Sequence, residues 1–210
     1  MIRLEKKYVI NNNNQRLKFI KFLFKKKFRK IFKDRVNFSI YFDYKNLKFY
    51  DNSEEGLSFR TKIRLRTEKS LFINDYEHFN FEIKESHPIF KKKYVFLKKE
   101  KIENKKILDK KNIFTQKILS KEIVPILSTE YLRSYYFSDL YGRITIDQNL
   151  EYQIVTWKNF LKDFNFIKKI KDRRMIIEHK IENKFLENSL ITLVPSRFSK
   201  YCEGVKKLIF

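Results

Sequence analysis

Glycine, proline, cysteine and histidine are all scarce in this 210-residue chain, at three, three, one and three copies. The glycines stand at positions 56, 142 and 204, and no phosphate loop of the Walker type or dinucleotide fingerprint can be built from them. Any phosphate the protein grips must therefore be held by side chains. Cys202 stands alone, which excludes an internal disulfide and suits a reducing compartment. His78, His87 and His179 show no metal-ligand spacing, which argues against a zinc site. No apolar run is long enough to cross a bilayer, and the opening MIRLEKKYVI lacks a signal-peptide core. The expectation is a soluble, cytoplasmic protein. Acid is also in short supply: 25 Asp plus Glu stand against 48 Lys plus Arg, a formal charge of +23.

What is abundant is hydrophobic (42%) and aromatic (17%) side chain, too much for a disordered chain. The length suits one domain over residues 1–210 with a substantial core. The positive charge favours an acidic partner: nucleic acid, an anionic membrane or a phosphate-rich ligand. Lysine is enriched together with Asn, Ile and Phe, as in AT-rich coding sequence, so the spacing of the arginines is more informative than total charge. In SFRTKIRLRTE, Arg60, Lys62, Arg64 and Arg66 lie two apart, with Thr61, Ile63 and Leu65 between them. In a strand, residues two apart share a face, so the four cations would form one row. A solvated strand alternates in the same way, but here the pattern recurs. Glu82 and Lys84 alternate with Phe81 and Ile83; Tyr131 and Arg133 are two apart; Arg143, Thr145 and Asp147 alternate with Ile144 and Ile146; Glu178 and Lys180 flank His179.

The pattern predicts a first strand over Ile2–Val9 with Arg3, Glu5 and Lys7 on one face. A capped, basic amphipathic helix follows over Gln15–Phe32; it would pack on the outside of a barrel or touch a membrane surface or an acidic partner. Further strands are predicted at Asn37–Asp43, Ser58–Thr67, Tyr76–Lys84, Lys93–Leu97 and Arg174–Ile181, with a short strand or turn near Leu47–Tyr50. A hairpin joins Val124–Phe137 to Arg143–Tyr152 through a turn near Asp139–Gly142. Weak helical spacing covers Ile102–Leu119. Phe160–Asp172 reads as a loop or short helix, Phe185–Leu190 as a helix, and Arg197–Leu208 as a closing helix capped by Ser196. The expected class is α+β: an antiparallel sheet closed into a β-barrel with a charged lumen and flanking helices. Arg and Lys in such a lumen would contact phosphate oxygens, and its carboxylates would hold a hard divalent cation.

The ordered segments RLEKKY (from Arg3), YFDYKNLKFY (from Tyr41), RTKIRLR (from Arg60), FEIKES (from Phe81), TEYLRSYY (from Thr129), GRITIDQNL (from Gly142), MIIEHK (from Met175) and FSKYCEGV (from Phe198) cover almost the whole chain. In that order they resemble the VTC domain, the polyphosphate polymerase domain of the CYTH-like triphosphate tunnel metalloenzymes. The resemblance implies an eight-stranded tunnel that moves the γ-phosphate of ATP onto polyphosphate with Mn2+ or Mg2+. It implies phosphate contacts from Lys7, Arg64, Arg66, Lys84, Arg133 and Lys200, with hydrogen bonds from Tyr131 and Ser199. Arg60, Lys62, Arg143 and Lys180 would be further lumen groups on the phosphate path. Glu178 would lead the metal ligation, with Glu5 and Glu82 as additional candidates. ATP and polyphosphate, or another triphosphate, are the implied ligands. No membrane anchor is attached, so product translocation would call on a separate membrane partner protein. Three other functions fit some of the same residues: a metal-dependent tunnel triphosphatase, a non-catalytic polyphosphate or inositol-pyrophosphate binding module, and a nucleic-acid binder. The last rests on composition alone, and with no binding motif in the chain no specific nucleic acid is expected. His179, between Glu178 and Lys180, is expected to point outward and to carry no chemistry.

Overall fold

The computed structural model describes residues 4–68, 79–96, 116–118, 120–162, 169–181 and 193–210. The helix expected over Phe185–Leu190, most of Ile102–Leu119, residues 163–168 of the expected loop and the start of the Tyr76–Lys84 strand lie outside them. Among the described residues the chain forms β1 (Leu4–Ile10), α1 (Asn13–Lys25), β2 (Arg29–Tyr44), α2 (Lys48–Glu54), β3 (Arg60–Thr67), β4 (Asn80–Ser86), β5 (Lys91–Phe96), β6 (Ile123–Ser138), β7 (Gly142–Ile154), α3 (Trp157–Lys162), β8 (Ile170–Asp172), β9 (Met175–Ile181) and α4 (Lys200–Leu208). The strands make one mostly antiparallel sheet in the order β1-β9-β7-β6-β2-β3-β4-β5, with β8 paired to β7.

The expected closed barrel is not found. The main path has eight strands, but among the described residues β1 and β5 end the sheet without pairing to each other. Side-chain alternation fixes which face each residue takes; it does not require the last strand to meet the first. Lys92 and Lys93 lie on the end strand β5, where charge discourages pairing with another chain.

By its internal contacts the chain divides into two compact units, the first comprising Met1–Val36, Tyr131–Glu151 and Lys171–Ser199, the second Asn37–Glu130, Tyr152–Ile170 and Lys200–Phe210. In the first unit, Tyr8, Ile10, Ile144, Ile146, Met175 and Ile177 form one apolar face, closed by Phe19 and Leu23 of α1. The helix starts where Asn12 Oδ1 accepts from Gln15 N–H at 2.9 Å, while Gln15 Oε1 accepts from Asn11 N–H at 3.2 Å, a reciprocal cap. The apolar spacing runs on to Phe32, yet the helix ends at Lys25. Lys27 takes a left-handed φ of 53°, its N–H donates to Phe24 O, and Phe28 N–H donates to Leu23 O. This Schellman-type ending turns Phe28 back onto Phe22, with ring centroids 5.9 Å apart, and releases the chain into β2.

His179 belongs to the same apolar side and is 1% exposed. Its Nε2–H donates to Tyr141 O at 2.6 Å, and Phe28 meets it edge-on. Burial lowers its pKa, so the ring is neutral in the fold. It does face away from the charged row, as expected, but into a packed interior.

In the second unit, Phe38, Ile40, Phe42, Ile63, Leu65, Phe81 and Ile83 form the apolar face of β2, β3 and β4. The segment after β2 is a helix, α2, instead of a strand or turn. Asp43 organises it by accepting from the N–H groups of Tyr44, Phe49 and Tyr50 at 2.7, 2.9 and 2.9 Å. The closing helix begins at Lys200, later than predicted; Ser196 N–H instead donates to Lys7 O. Tyr201, Cys202 and Val205 of α4 pack with Tyr41, Tyr50 and Leu127.

Gly204 permits that packing. A β-carbon there would lie 2.8 Å from Tyr152 Cδ1 and 3.0 Å from Leu127 Cδ2, and both neighbours are buried. Gly204→Ala is expected to cost ~1–3 kcal/mol through overpacking, more than the ~1 kcal/mol alanine gains in helix propensity. Urea unfolding should show a lower midpoint; an unchanged or higher midpoint would mean that α4 shifts freely.

Candidate functional site

The candidate residues fall into two clusters, one in each unit. In the second unit, β3 places Arg60, Lys62, Arg64 and Arg66 on one face, as their spacing predicts. The register sets Lys62 beside Lys84 of β4, Lys84 beside Lys93 of β5, and Arg64 beside Glu82. Three lysines thus stand abreast across three strands, an arrangement that repels itself. Glu82 is the acidic counterweight to these neighbours. Its Oε2 accepts from Arg64 Nε and Nη2 at 2.7 and 2.6 Å, and its Oε1 accepts from Lys93 Nζ at 2.8 Å. Burial raises the Glu82 pKa, but Arg64 and Lys93 more than offset this and hold it lowered. Arg66 Nη2 donates to Asn37 Oδ1. Among the described residues neither Arg60 nor Lys84 has a carboxylate partner.

The supporting layer is aromatic. Tyr41, beside Arg64 in register, receives a hydrogen bond from Arg64 Nη1 at 3.2 Å and stacks on Tyr201 with centroids 5.3 Å apart. Tyr201 Oη donates to Asp43 Oδ2 at 2.5 Å. Burial raises the pKa of both Asp43 and Tyr201, so the phenol keeps its proton in this contact. Tyr41 goes the other way. Burial would raise it, but the charges of Arg64 and Lys200 bring it below the usual phenol value. Lys200, half-buried at the start of α4, therefore acts on the same neighbourhood as Arg64. Burial lowers the pKa of the Lys62 ammonium, and the charges of Lys84 and Arg60 push the same way.

In the first unit the register gives a balanced lattice. Glu5 stands beside Lys180 and Lys180 beside Arg143, while Lys7 stands beside Glu178 and Glu178 beside Thr145. Lys180 Nζ lies 3.1 Å from Glu178 Oε1 and 3.7 Å from Glu5 Oε2. Arg133 donates from Nε and Nη2 to Asp147 at 2.6 and 2.8 Å, sits 3.8 Å from Glu178 Oε2, and lies over the Tyr131 ring. Lys7 Nζ donates to Phe198 O at 3.0 Å, which ties β1 to the segment ending at half-buried Ser199. Burial opposes ionisation of Glu178, but Lys180, Lys7 and Arg133 hold its carboxyl well below the usual carboxylate range. Against the same opposition, Asp147 keeps Arg133 firmly protonated.

Glu178 is the carboxylate that could hold a divalent cation arriving with phosphate. Among the described residues no group of three or more His, Cys, Asp or Glu gathers into a protein-only cage. The Glu178 carboxylate is ionised, and the buried Thr145 Oγ1 beside it in register has no hydrogen-bond partner. Mg2+ commonly takes one or two carboxylates and completes its shell with substrate phosphates and water. Glu82, Glu5 and Glu178 are all engaged with cations in their own unit, so a metal at Glu178 would have to share the carboxylate with Lys180 and Arg133.

Sequence spacing missed several contributors. Asp147 stands two residues from Thr145 in ITID, so its face was legible; its two-point hold on Arg133 was not. Lys93 enters the lysine row only through the β4–β5 register. The Asp43–Tyr201 contact joins residues 158 positions apart, and no local pattern announces it.

The VTC domain model matches residues 2–209. By sequence alone, no curated protein matches the chain. Among solved structures, the chain is similar to a putative adenylate cyclase of Bacillus halodurans, with a TM-score of 0.52 at 12% identity over 100% of this chain and 98% of that one. It is also similar to the PH1819 protein of Pyrococcus horikoshii OT3, with a TM-score of 0.52 at 11% identity over 97% and 96%. These likenesses show a shared fold.

Two stability effects follow from the first unit. Asp147→Ala strands a largely buried guanidinium and is expected to cost ~3–5 kcal/mol, readable by chemical denaturation. For Glu178, the folded pKa lies below the ordinary value of 4.5, so its stabilisation is present above that pH and is lost as pH falls. Glu178→Gln should therefore flatten the acid limb of the stability–pH curve. Parallel curves for variant and wild type would contradict this.

Proposed function

The chain belongs to the VTC domain family, and from that premise we propose that it is a polyphosphate polymerase, transferring the γ-phosphate of ATP to the end of a polyphosphate chain. The observation that carries this is the Lys62–Lys84–Lys93 row, flanked by Arg60, Arg64 and Arg66. Among the described residues of β3, β4 and β5, these six cations share a face with the Glu82 carboxylate. A polyanion relieves their mutual repulsion.

In the reaction, a terminal oxygen of the acceptor chain attacks the γ-phosphorus. The bond from that phosphorus to the β–γ bridging oxygen breaks, and ADP leaves with the electron pair. The acceptor oxygen is already ionised, so no strong general base is needed. Catalysis then consists of aligning two polyanions and neutralising charge on the transferred group. Arg64 and Arg66 hold the triphosphate, with Arg64 aimed by Glu82 and by the Tyr41 hydroxyl. Lys84, Lys62, Arg60 and Lys200 extend the phosphate path. In the first unit, Arg133, held by Asp147, together with Lys7, Arg143, Lys180, Tyr131 and Ser199, is a separate set of candidate phosphate contacts. Mn2+ or Mg2+, when bound, would be held by Glu178 and would neutralise phosphate charge.

A tunnel triphosphatase would use a group that positions water or takes its proton, and the cations neighbouring Glu178 make it a weak proton acceptor. Purified protein incubated with ATP and Mn2+ is expected to form polyphosphate and ADP. Orthophosphate alone would make it a triphosphatase, and cyclic AMP would make it a cyclase; either would overturn the proposal. Arg64→Ala and Arg66→Ala should each lower turnover by ~10²-fold or more, the scale of losing one preorganised charge donor. The Arg64 variant should remain folded because Glu82 keeps Lys93. Wild-type turnover in a folded double variant would contradict the assigned site.

A further inference from the structure

Helix α1 has two apolar faces, and packing within its unit uses one of them. Phe19 and Leu23 are buried against the sheet at 2% and 6% exposure, whereas Leu17, Ile20 and Phe24 are 57%, 38% and 78% exposed. At 3.6 residues per turn the exposed three fall within an arc of about 60°, and that arc is turned about 120° from the packed pair. Arg16 borders it on one side. Lys18, Lys21 and Lys25, all exposed, border it on the other. The helix carries no acidic residue.

An exposed stripe holding a leucine, an isoleucine and a phenylalanine is costly in water, and on this helix only cations flank it. A partner must therefore be apolar in the middle and anionic around the edge over the helix's length of roughly 20 Å. The interface of an anionic bilayer has this layout. Acyl chains accept the stripe, while headgroup phosphates and carboxylates meet the lysines. We propose that α1 docks the protein in the plane of an anionic membrane surface, with Leu17, Ile20 and Phe24 inserted and Arg16, Lys18, Lys21 and Lys25 at headgroup level. Charge complementarity selects lipid over a second copy of this helix, whose own cations would repel it.

The test uses the full chain and sedimentation with phosphatidylcholine vesicles, with and without phosphatidylserine. Binding is expected only to the anionic vesicles and is expected to weaken as salt rises. Combining Leu17→Gln with Phe24→Gln should lower that binding by ~tenfold or more. Lys18→Glu with Lys21→Glu and Lys25→Glu should abolish it. Both variants should keep the wild-type melting temperature and the wild-type rate on soluble ATP, because none of these residues belongs to the phosphate clusters. The proposal is overturned if anionic vesicles do not bind, if the glutamine variant binds as well as wild type, or if wild type forms a dimer that the same two substitutions dissolve.

Discussion

Like charges set abreast on neighbouring strands are the constraint on which the second unit is organised. Lys62, Lys84 and Lys93 occupy adjacent positions in register, and Arg64 lies one step along the same face. A sheet tolerates such a row only if it is offset. Glu82 offsets part of it with one oxygen for Arg64 and the other for Lys93. The apolar underside of β2, β3 and β4 fixes this geometry, since slipping the register by one residue would bury the cations and expose Ile63 and Leu65.

The two units solve the problem of dense charge differently. In the first, Lys7, Lys180, Arg143 and Arg133 are interleaved with Glu5, Glu178 and Asp147, which leaves little net charge and an ordered network. In the second, cations predominate. A phosphate chain needs the second kind of surface to bind, whereas a carboxylate that must stay ionised needs the first. The aromatic layer beneath Arg64 adds rigidity. Tyr41 is held between Arg64 and Tyr201, and Tyr201 is held by Asp43, which also organises α2. The helix that closes the chain thereby helps to aim an arginine on β3.

Alternation made the charged faces legible from the sequence. The row from Arg60 to Arg66, the Glu82–Lys84 pair and the Arg143–Thr145–Asp147 series all take the faces their spacing assigns. Alternation has no bearing on sheet closure, so it does not distinguish a barrel from a path that ends at β1 and β5. Helical spacing likewise marked α1 but not its end, because the left-handed turn at Lys27 depends on backbone bonds and on Phe28 finding Phe22. Asp43 was hidden for a similar reason. Its role lies in three backbone N–H groups and a tyrosine from the far end of the chain. His179 was assigned to the correct side of β9, but its burial depends on Phe28 and Tyr141 packing around it.

The central claim is that the lysine and arginine row on β3, β4 and β5 is held in readiness for a phosphate chain. A crystal structure with tripolyphosphate and Mn2+ tests it most directly. Phosphate oxygens are expected within hydrogen-bonding distance of Arg64, Arg66 and at least one of Lys62 and Lys84, with Glu82 still joined to Arg64. Tripolyphosphate bound elsewhere, with that row in contact with solvent alone, would contradict the account.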